Sequence, residues 1–361
     1  MLIYCQIDLK ARSAISHPQS AIRGSVHPLL KWAGGKRQLL PALRRFYPAR
    51  FHSYIEPFFG SGAVFFDLHS RGLLRDRDVV LIDSNADLIG CYETVRDGPE
   101  DVARELERLA RAHASGGAPH YYQVRDDRFN PLRIARRRPD GRIAYTPELA
   151  AMLIYLNRTG FNGLFRLNAR GAFNVPAGRY ARPAIVNRSK LHAVADALAL
   201  PRVKLLYGSF ELARDVAGPG DFLYCDPPYA PLSRTANFTS YTTARFGDGD
   251  QVRLQQLVVA LAASGCQVLV SNSTAGEIAS LYDTNAEARA VGLRAMRVPA
   301  RRAINSNASK RGTVEEYLIT NIALQDCRMA ELQEGKVESQ KGHVGTARRV
   351  DATGKRSRRT S

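Results

Sequence analysis

The sequence predicts an α/β chain with a mostly parallel sheet, interrupted by one basic, irregular insertion, on three observations. Short apolar runs end in an acid: Val79 to Ile82 before Asp83, and Phe222 to Cys225 before Asp226. A glycine-rich turn, Pro57 to Gly62, joins a strand at 53–56 to a helix starting near Ala63. After 97 the alternation stops: 97–148 is charged and rich in Arg and Tyr, and strand–helix alternation resumes only after about 190. Strand–helix alternation of this kind builds parallel sheets.

In chain order, 1–27 carries little pattern and reads as an N-terminal extension. Residues 28–48 read as a turn entering an amphipathic helix, with Leu39, Leu40, Leu43 and Phe46 at helical spacing. The strand 53–56, the turn, the helix from Ala63 and the strand 79–82 follow. Residues 97–148 include a basic cluster, Arg133, Arg136, Arg137 and Arg138, and 148–157 is an apolar helix. Residues 158–183 mix Gly, Asn, Arg and Phe and suggest a hairpin. Strands at 203–206, 221–225 and 267–271, a helix at 250–263 and a hairpin at 294–320 complete the pattern. The tail 325–361 is polar and basic and reads as disordered. No internal repeat is visible.

The net charge is +18, of which the tail from Gln325 carries +4 and the rest +14. A positive field of that size favours a polyanion, although charge alone does not separate DNA from RNA or an acidic surface. The five cysteines (5, 91, 225, 266 and 327) include no CxxC pair, and the eight histidines form no cluster, so no metal site is expected. No apolar run reaches the length of a membrane span, and nothing resembles a secretory signal; a cytoplasmic location is the default expectation.

Asp226-Pro227-Pro228-Tyr229 is the most informative motif. A buried strand ending there presents a carboxylate, a carbonyl and a ring at a sheet edge, which suits a planar amine. The Asp226 carboxylate and the Pro227 carbonyl would accept both protons of an exocyclic NH2, and Tyr229 would stack on its ring. The same residues also serve as a plain strand terminator. Glu56-Pro57-Phe58-Phe59-Gly60-Ser61-Gly62 suits a nucleotide-like ligand at a helix N-terminus. It is not a dinucleotide fingerprint, because Phe65 stands where the third glycine belongs. Asp83 lies 27 residues after Glu56, where an acid commonly binds ribose hydroxyls, although it also suits a helix cap. A ribose site without a diphosphate site points to an adenosine-type cofactor such as S-adenosylmethionine. Lys31-Trp32-Ala33-Gly34-Gly35-Lys36 holds the single tryptophan between two cations. In 158–183, Arg166, Arg170 and Arg179 suit phosphates or guanine edges. Asn162, Asn168 and Asn174 suit adenine edges, and Phe161 suits stacking.

KWAGGK, EPFFGSGAVFF, LIDSNADLI, NRTGFNGLFRLNARGAFNVPAGRY and DPPYAPLSRTANFTSY stand in the order found in Dam-type (alpha group) DNA adenine-N6 methyltransferases. The chain resembles that family from about 28 to 322. The resemblance implies a Rossmann-like S-adenosylmethionine-dependent methyltransferase sheet formed by 28–96 and 190–324. It implies an inserted helical and hairpin target-recognition domain at 97–189, a monomer acting on double-stranded DNA at the nucleoid, and GATC as the target. It assigns Trp32, Lys36, Glu56, Gly60, Asp83 and Asp226 to S-adenosylmethionine, and Asp226, Pro227, Pro228 and Tyr229 to the adenine pocket. Arg166 would read the outer guanine, with Leu164 and Pro176 near the thymine methyl. Phe161 and Asn162 would fill the space left by a flipped base, and Arg179 would hold phosphate. The chain departs from the family where Phe161 replaces a common tyrosine, where Ser271-Asn272-Ser273 lacks an acid, and at 125–146. A cytosine-C5 methyltransferase is excluded by the absence of a Pro-Cys step, and a zinc deaminase by the absence of HxE and PCxxC. A cytosine-N4 or RNA adenine methyltransferase would use the same pocket. A DNA-binding protein without turnover remains the rival of a different class.

Overall fold

The computed structural model describes residues 25–32, 34–231, 246–301 and 313–324. Most of the N-terminal extension, the continuation of the Asp226 motif beyond 231, and the tail from 325 lie outside the described residues.

Seven strands form one sheet in the order β3-β2-β1-β4-β5-β7-β6. They are β1 Tyr54–Glu56, β2 Val79–Asp83, β3 Val203–Tyr207, β4 Phe222–Cys225, β5 Gln267–Ser273, β6 Arg294–Arg301 and β7 Thr313–Thr320. The first five pair parallel, and β7 is antiparallel to both β5 and β6. Alternate residues of the central strands feed two cores. Tyr54, Leu81 and Tyr224 pack on one face, and Ile55, Ile82 and Cys225 on the other. Strands buried on both faces cannot show polar alternation, which is why they read as unbroken apolar runs.

Helices cover both faces. The segment 36–46, expected as one amphipathic helix, is instead broken into short turns around α1 (Leu40–Leu43). Its apolar residues still reach the core, because Leu39, Leu43 and Phe46 are buried. α2 (Ala63–Ser70) and α3 (Ala86–Asp97) follow β1 and β2. The stretch after 97, which showed no clear pattern, opens with the long helix α4 (Pro99–Gln123), kinked at Gly117, and continues through α5 (Asn130–Ala135). α6 (Pro147–Thr159), buried along most of its length, packs against α4. α7 (Arg188–Leu198), α8 (Ala213–Val216) and α9 (Asp248–Ala263) complete the main layers.

The hairpin expected at 158–183 exists, but isolated bridges replace full strands: Gly160 with Ala177, and Leu167 with Phe173. A second hairpin of the same build, unseen as a repeat in the sequence, joins Arg137 to Ile143.

Candidate active site

β4 delivers Asp226 to the carboxyl edge of the sheet, between β1 and β5, the edge where open α/β sheets bind ligands. The Lys36 ammonium lies 2.6 Å from Asp226 Oδ1, donates to the Gly34 carbonyl at 2.9 Å, and stands 4.4 Å from the centre of the Tyr229 ring. Ser271 Oγ, from β5, donates to the same Asp226 oxygen at 3.0 Å. Burial pushes the Asp226 carboxyl up from its ordinary range, Lys36 and Ser271 pull it back, and nearby Glu316 adds to the rise.

The turn after Asp226 is held from three sides. Tyr229 donates its hydroxyl to Glu316 of β7 at 2.7 Å. Gln251 of α9 donates to the Pro228 carbonyl at 2.9 Å and accepts from Asn272 Nδ2 at 3.0 Å. Ser273 Oγ donates to the Ala230 carbonyl at 2.7 Å. Gln251 and Glu316 were not singled out in the sequence, because they come from elements 20 or more residues away. The acid missing from the Ser271–Ser273 strand has a counterpart in Glu316 on the neighbouring strand.

The second half of the site surrounds Gly60. Its backbone is left-handed (φ +49), and a Cβ there would come within 3.3 Å of Trp32. Gly60 N–H donates to Asp83 Oδ2, and Asn85 N–H to Asp83 Oδ1, both at 2.8 Å. Burial nevertheless raises the Asp83 carboxyl to about 6. Glu56 is almost fully buried and accepts the Tyr54 hydroxyl at 2.7 Å. Desolvation holds its carboxyl well above the usual range, and the proximity of Asp226 and Asp83 adds to this. Gly208 N–H donates to the Asp83 carbonyl, which brings Phe210 beside it, stacked on Phe58 at 5.3 Å. Cys225 is buried at the end of β4, and burial pushes its thiol pKa up, so it offers no nucleophile.

The residues expected on the ligand side therefore converge: Trp32, Gly60 and Asp83 in one group, and Lys36, Glu56, Asp226 and Tyr229 in the other. Those expected on the nucleic-acid side form a separate surface. Phe161, Asn162, Arg166, Pro176 and Arg179 are exposed, and Leu164 is half-buried against the core. Asn162 adopts a left-handed backbone (φ +54), and the Pro176 carbonyl accepts Phe161 N–H at 2.9 Å. Arg166 Nε donates to Asn174 Oδ1 at 2.8 Å, and Asn168 Oδ1 closes its own turn by accepting from Arg170 and Ala172 N–H. Asn157 joins the two surfaces by accepting from Lys31 N–H and donating to the Lys31 and Gly163 carbonyls, each at 2.8 Å.

Within the basic cluster 133–138, Arg133 stands apart from the other arginines. It is buried, with Nε and Nη2 on the two oxygens of Asp87 at 2.6 and 2.7 Å and Nη1 on the Gly171 carbonyl at 2.6 Å. Its neighbours Arg136, Arg137 and Arg138 are exposed.

Strand order and acid-tipped strand ends define a Rossmann-like α/β protein with its candidate site at the carboxyl edge. Residues 32–299 match the family described as D12 class N6 adenine-specific DNA methyltransferase, and the chain belongs to that family. It is 37% identical over 300 residues to the type II methyltransferase M1.LlaDCHI of Lactococcus lactis subsp. cremoris, covering 82% of this chain and 96% of that one. It is 36% identical to the type II methyltransferase M.MjaIII of Methanocaldococcus jannaschii, over 82% of this chain and 99% of the relative. It is 34% identical to the DNA adenine methylase of Escherichia coli K12, over 80% and 93%. No helix among the described residues is long and apolar enough to cross a membrane.

Proposed function

We propose that the protein methylates N6 of an adenine flipped out of double-stranded DNA, within GATC, with S-adenosylmethionine as donor. The observation that carries this reading is the Lys36 ammonium between the Asp226 carboxylate and the Tyr229 ring. It marks a place that already receives a nitrogen donor against an acceptor and an aromatic face. The adenine amine has the chemistry to take that place, with Lys36 displaced.

The residues around Gly60 fit the donor. A side chain on Gly60 would crowd Trp32, so the bare backbone leaves room for close approach. Asp83 spends one lone pair of each oxygen on backbone N–H groups and keeps others for a ribose diol. Trp32, Lys36, Glu56 and Gly60 complete the binding set. When bound, S-adenosylmethionine supplies an electrophilic sulfonium methyl.

Adenine in a duplex hides its amine, so the base must leave the stack. The N6 lone pair is delocalised into the ring. Acceptors at Asp226 and the Pro227 carbonyl draw the amine towards tetrahedral geometry and localise that pair. Tyr229, fixed by Glu316, holds the ring, and Pro228, tied to Gln251, keeps the turn in place. Most of the acceleration is positioning. The nascent N6 ammonium loses its proton to Asp226 or to water.

Residues 97–189 form the target-recognition insertion in this reading. Arg166 reads the outer guanine, Leu164 and Pro176 flank the thymine methyl, Phe161 and Asn162 occupy the space of the flipped base, and Arg179 holds phosphate. The test is methylation of plasmid DNA by purified protein, read by restriction enzymes that distinguish methylated from unmethylated GATC. Protection at GATC supports the whole reading. Methyl incorporation into DNA without protection there retains the reaction and overturns the target. Incorporation into RNA alone overturns the substrate.

A further inference from the structure

We infer that residues 136–145 form a second DNA contact, a basic hairpin that grips the phosphate backbone outside the recognised sequence. The inference rests on the preceding reading for the placement of the duplex.

The two hairpins of the insertion are built alike. In the first, Arg138 N–H donates to the Arg142 carbonyl at 2.8 Å and Gly141 N–H to the Arg138 carbonyl at 3.0 Å, with Gly141 left-handed (φ +84). In the second, Asn168 N–H donates to the Ala172 carbonyl at 2.9 Å and Gly171 N–H to the Asn168 carbonyl at 2.8 Å, with Gly171 left-handed (φ +74). A bridge closes the tip of each, Arg137 with Ile143 and Leu167 with Phe173, and Ile143 and Phe173 are both buried.

Both hairpins rise from one buried base. Tyr145 donates its hydroxyl to Asp87 Oδ1 at 2.8 Å, and Arg133 spans Asp87 and the Gly171 carbonyl. Asn130, just before, donates to the Phe173 carbonyl and accepts Phe173 N–H. A duplex seated on the recognition hairpin therefore runs past its twin.

The twin carries the charge such a contact needs. Arg136, Arg137 and Arg138 are consecutive and exposed. Among the described residues, no ion pair within 4.0 Å joins any of them to a carboxylate, whereas Arg142 beside them meets Glu93 at 3.5 Å. Unpaired guanidiniums on a rigid turn suit phosphate oxygens. The hairpin also lies against Tyr207, at the carboxyl end of the edge strand β3, three strands from Asp226 on β4. Three strand spacings are roughly 14 Å. At about 3.4 Å per base pair that places the contact some four base pairs from the flipped adenine.

The experiment compares the full-length protein with the triple variant Arg136→Gln/Arg137→Gln/Arg138→Gln. Dissociation constants are measured on a long duplex and on one trimmed to about three base pairs either side of the target adenine, from 50 to 200 mM salt. All three positions are exposed, and a thermal scan checks that the variant folds as the parent does. On the long duplex the variant should bind cognate and non-cognate DNA more weakly by the same factor. Its log–log salt slope should be shallower by about 2 to 3, so its disadvantage shrinks roughly 15- to 60-fold across that range. On the trimmed duplex the two proteins should bind alike, and turnover at saturating DNA should not change. Equal affinities and slopes on the long duplex overturn the contact. A loss confined to cognate DNA, or one that persists on the trimmed duplex, overturns its assignment to flanking backbone. A parent protein that binds duplex but transfers no methyl fails the preceding section and leaves this inference intact.

Discussion

The pocket at the end of β4 and the outward face at 161–179 are built from opposite materials. In the first, the key side chains are held by partners drawn from other segments of the chain. Asp226 is met by Lys36 and Ser271, Tyr229 by Glu316, and Pro228 by Gln251. On the outward face, Phe161, Arg166 and Arg179 are exposed on a hairpin secured by isolated bridges and by side chains beneath it. Chemistry on one fixed atom needs a preorganised, desolvated site. Reading a duplex needs side chains that stay in water until DNA arrives. The contrast predicts that pocket substitutions abolish turnover, that those in the supporting base unfold, and that those on the face alter discrimination.

The largest effect should come from Asp226→Ala. Turnover should fall by at least ~100-fold, the scale for removing one preorganised polar group, while DNA affinity is largely kept. Single-turnover methylation and a binding isotherm on the same duplex check it, and near-parental turnover would remove the pocket assignment. Arg133→Gln should cost about 3–5 kcal/mol of stability, because it leaves the Asp87 carboxylate buried without its cation. Urea unfolding measures this, and a parental midpoint would show that the base does not hold the hairpins.

Arg166→Ala should relax discrimination at one base pair by about 1–3 kcal/mol, the worth of one bidentate contact. Methylation rates on duplexes changed at single positions check it, and equal losses on all sequences would make Arg166 a phosphate contact. The smallest effect concerns pH. The Asp83 carboxyl is raised to about 6, so it is ionised above that pH and takes up a proton as pH falls through it. A protonated Asp83 offers fewer acceptors to a ribose diol, so affinity for S-adenosylmethionine should fall on the acid side of 6. Calorimetric titration from pH 5 to 8 shows whether it does, and Asp83→Asn should bind weakly with a flat profile.

The same contrast separates what was legible in the sequence. The acid-tipped strands, the glycine turn and the Asp226 motif were readable because each is a contiguous run whose local chemistry already limits the backbone. Residues 36–46 were misread as one helix, since apolar spacing shows which side chains face the core and not whether the backbone between them stays helical. α4 was missed because its charged, exposed face obscures the buried Val102, Leu106 and Leu109. The twin hairpins share a fold with almost no shared residues, so no repeat showed.

By itself the sequence determined the strand ends, the carboxylate, amide and ring chemistry, and the excess of positive charge, all properties of neighbouring residues or of the whole composition. Only the tertiary structure decided that Ser271, Glu316 and Gln251 serve the Asp226 turn, and that one arginine of a four-residue cluster is buried as a joint while three face solvent. Those facts depend on segments 20 to 90 residues apart meeting across a sheet or a buried ion pair. Such meetings are fixed by packing and desolvation, which no local run of residues encodes.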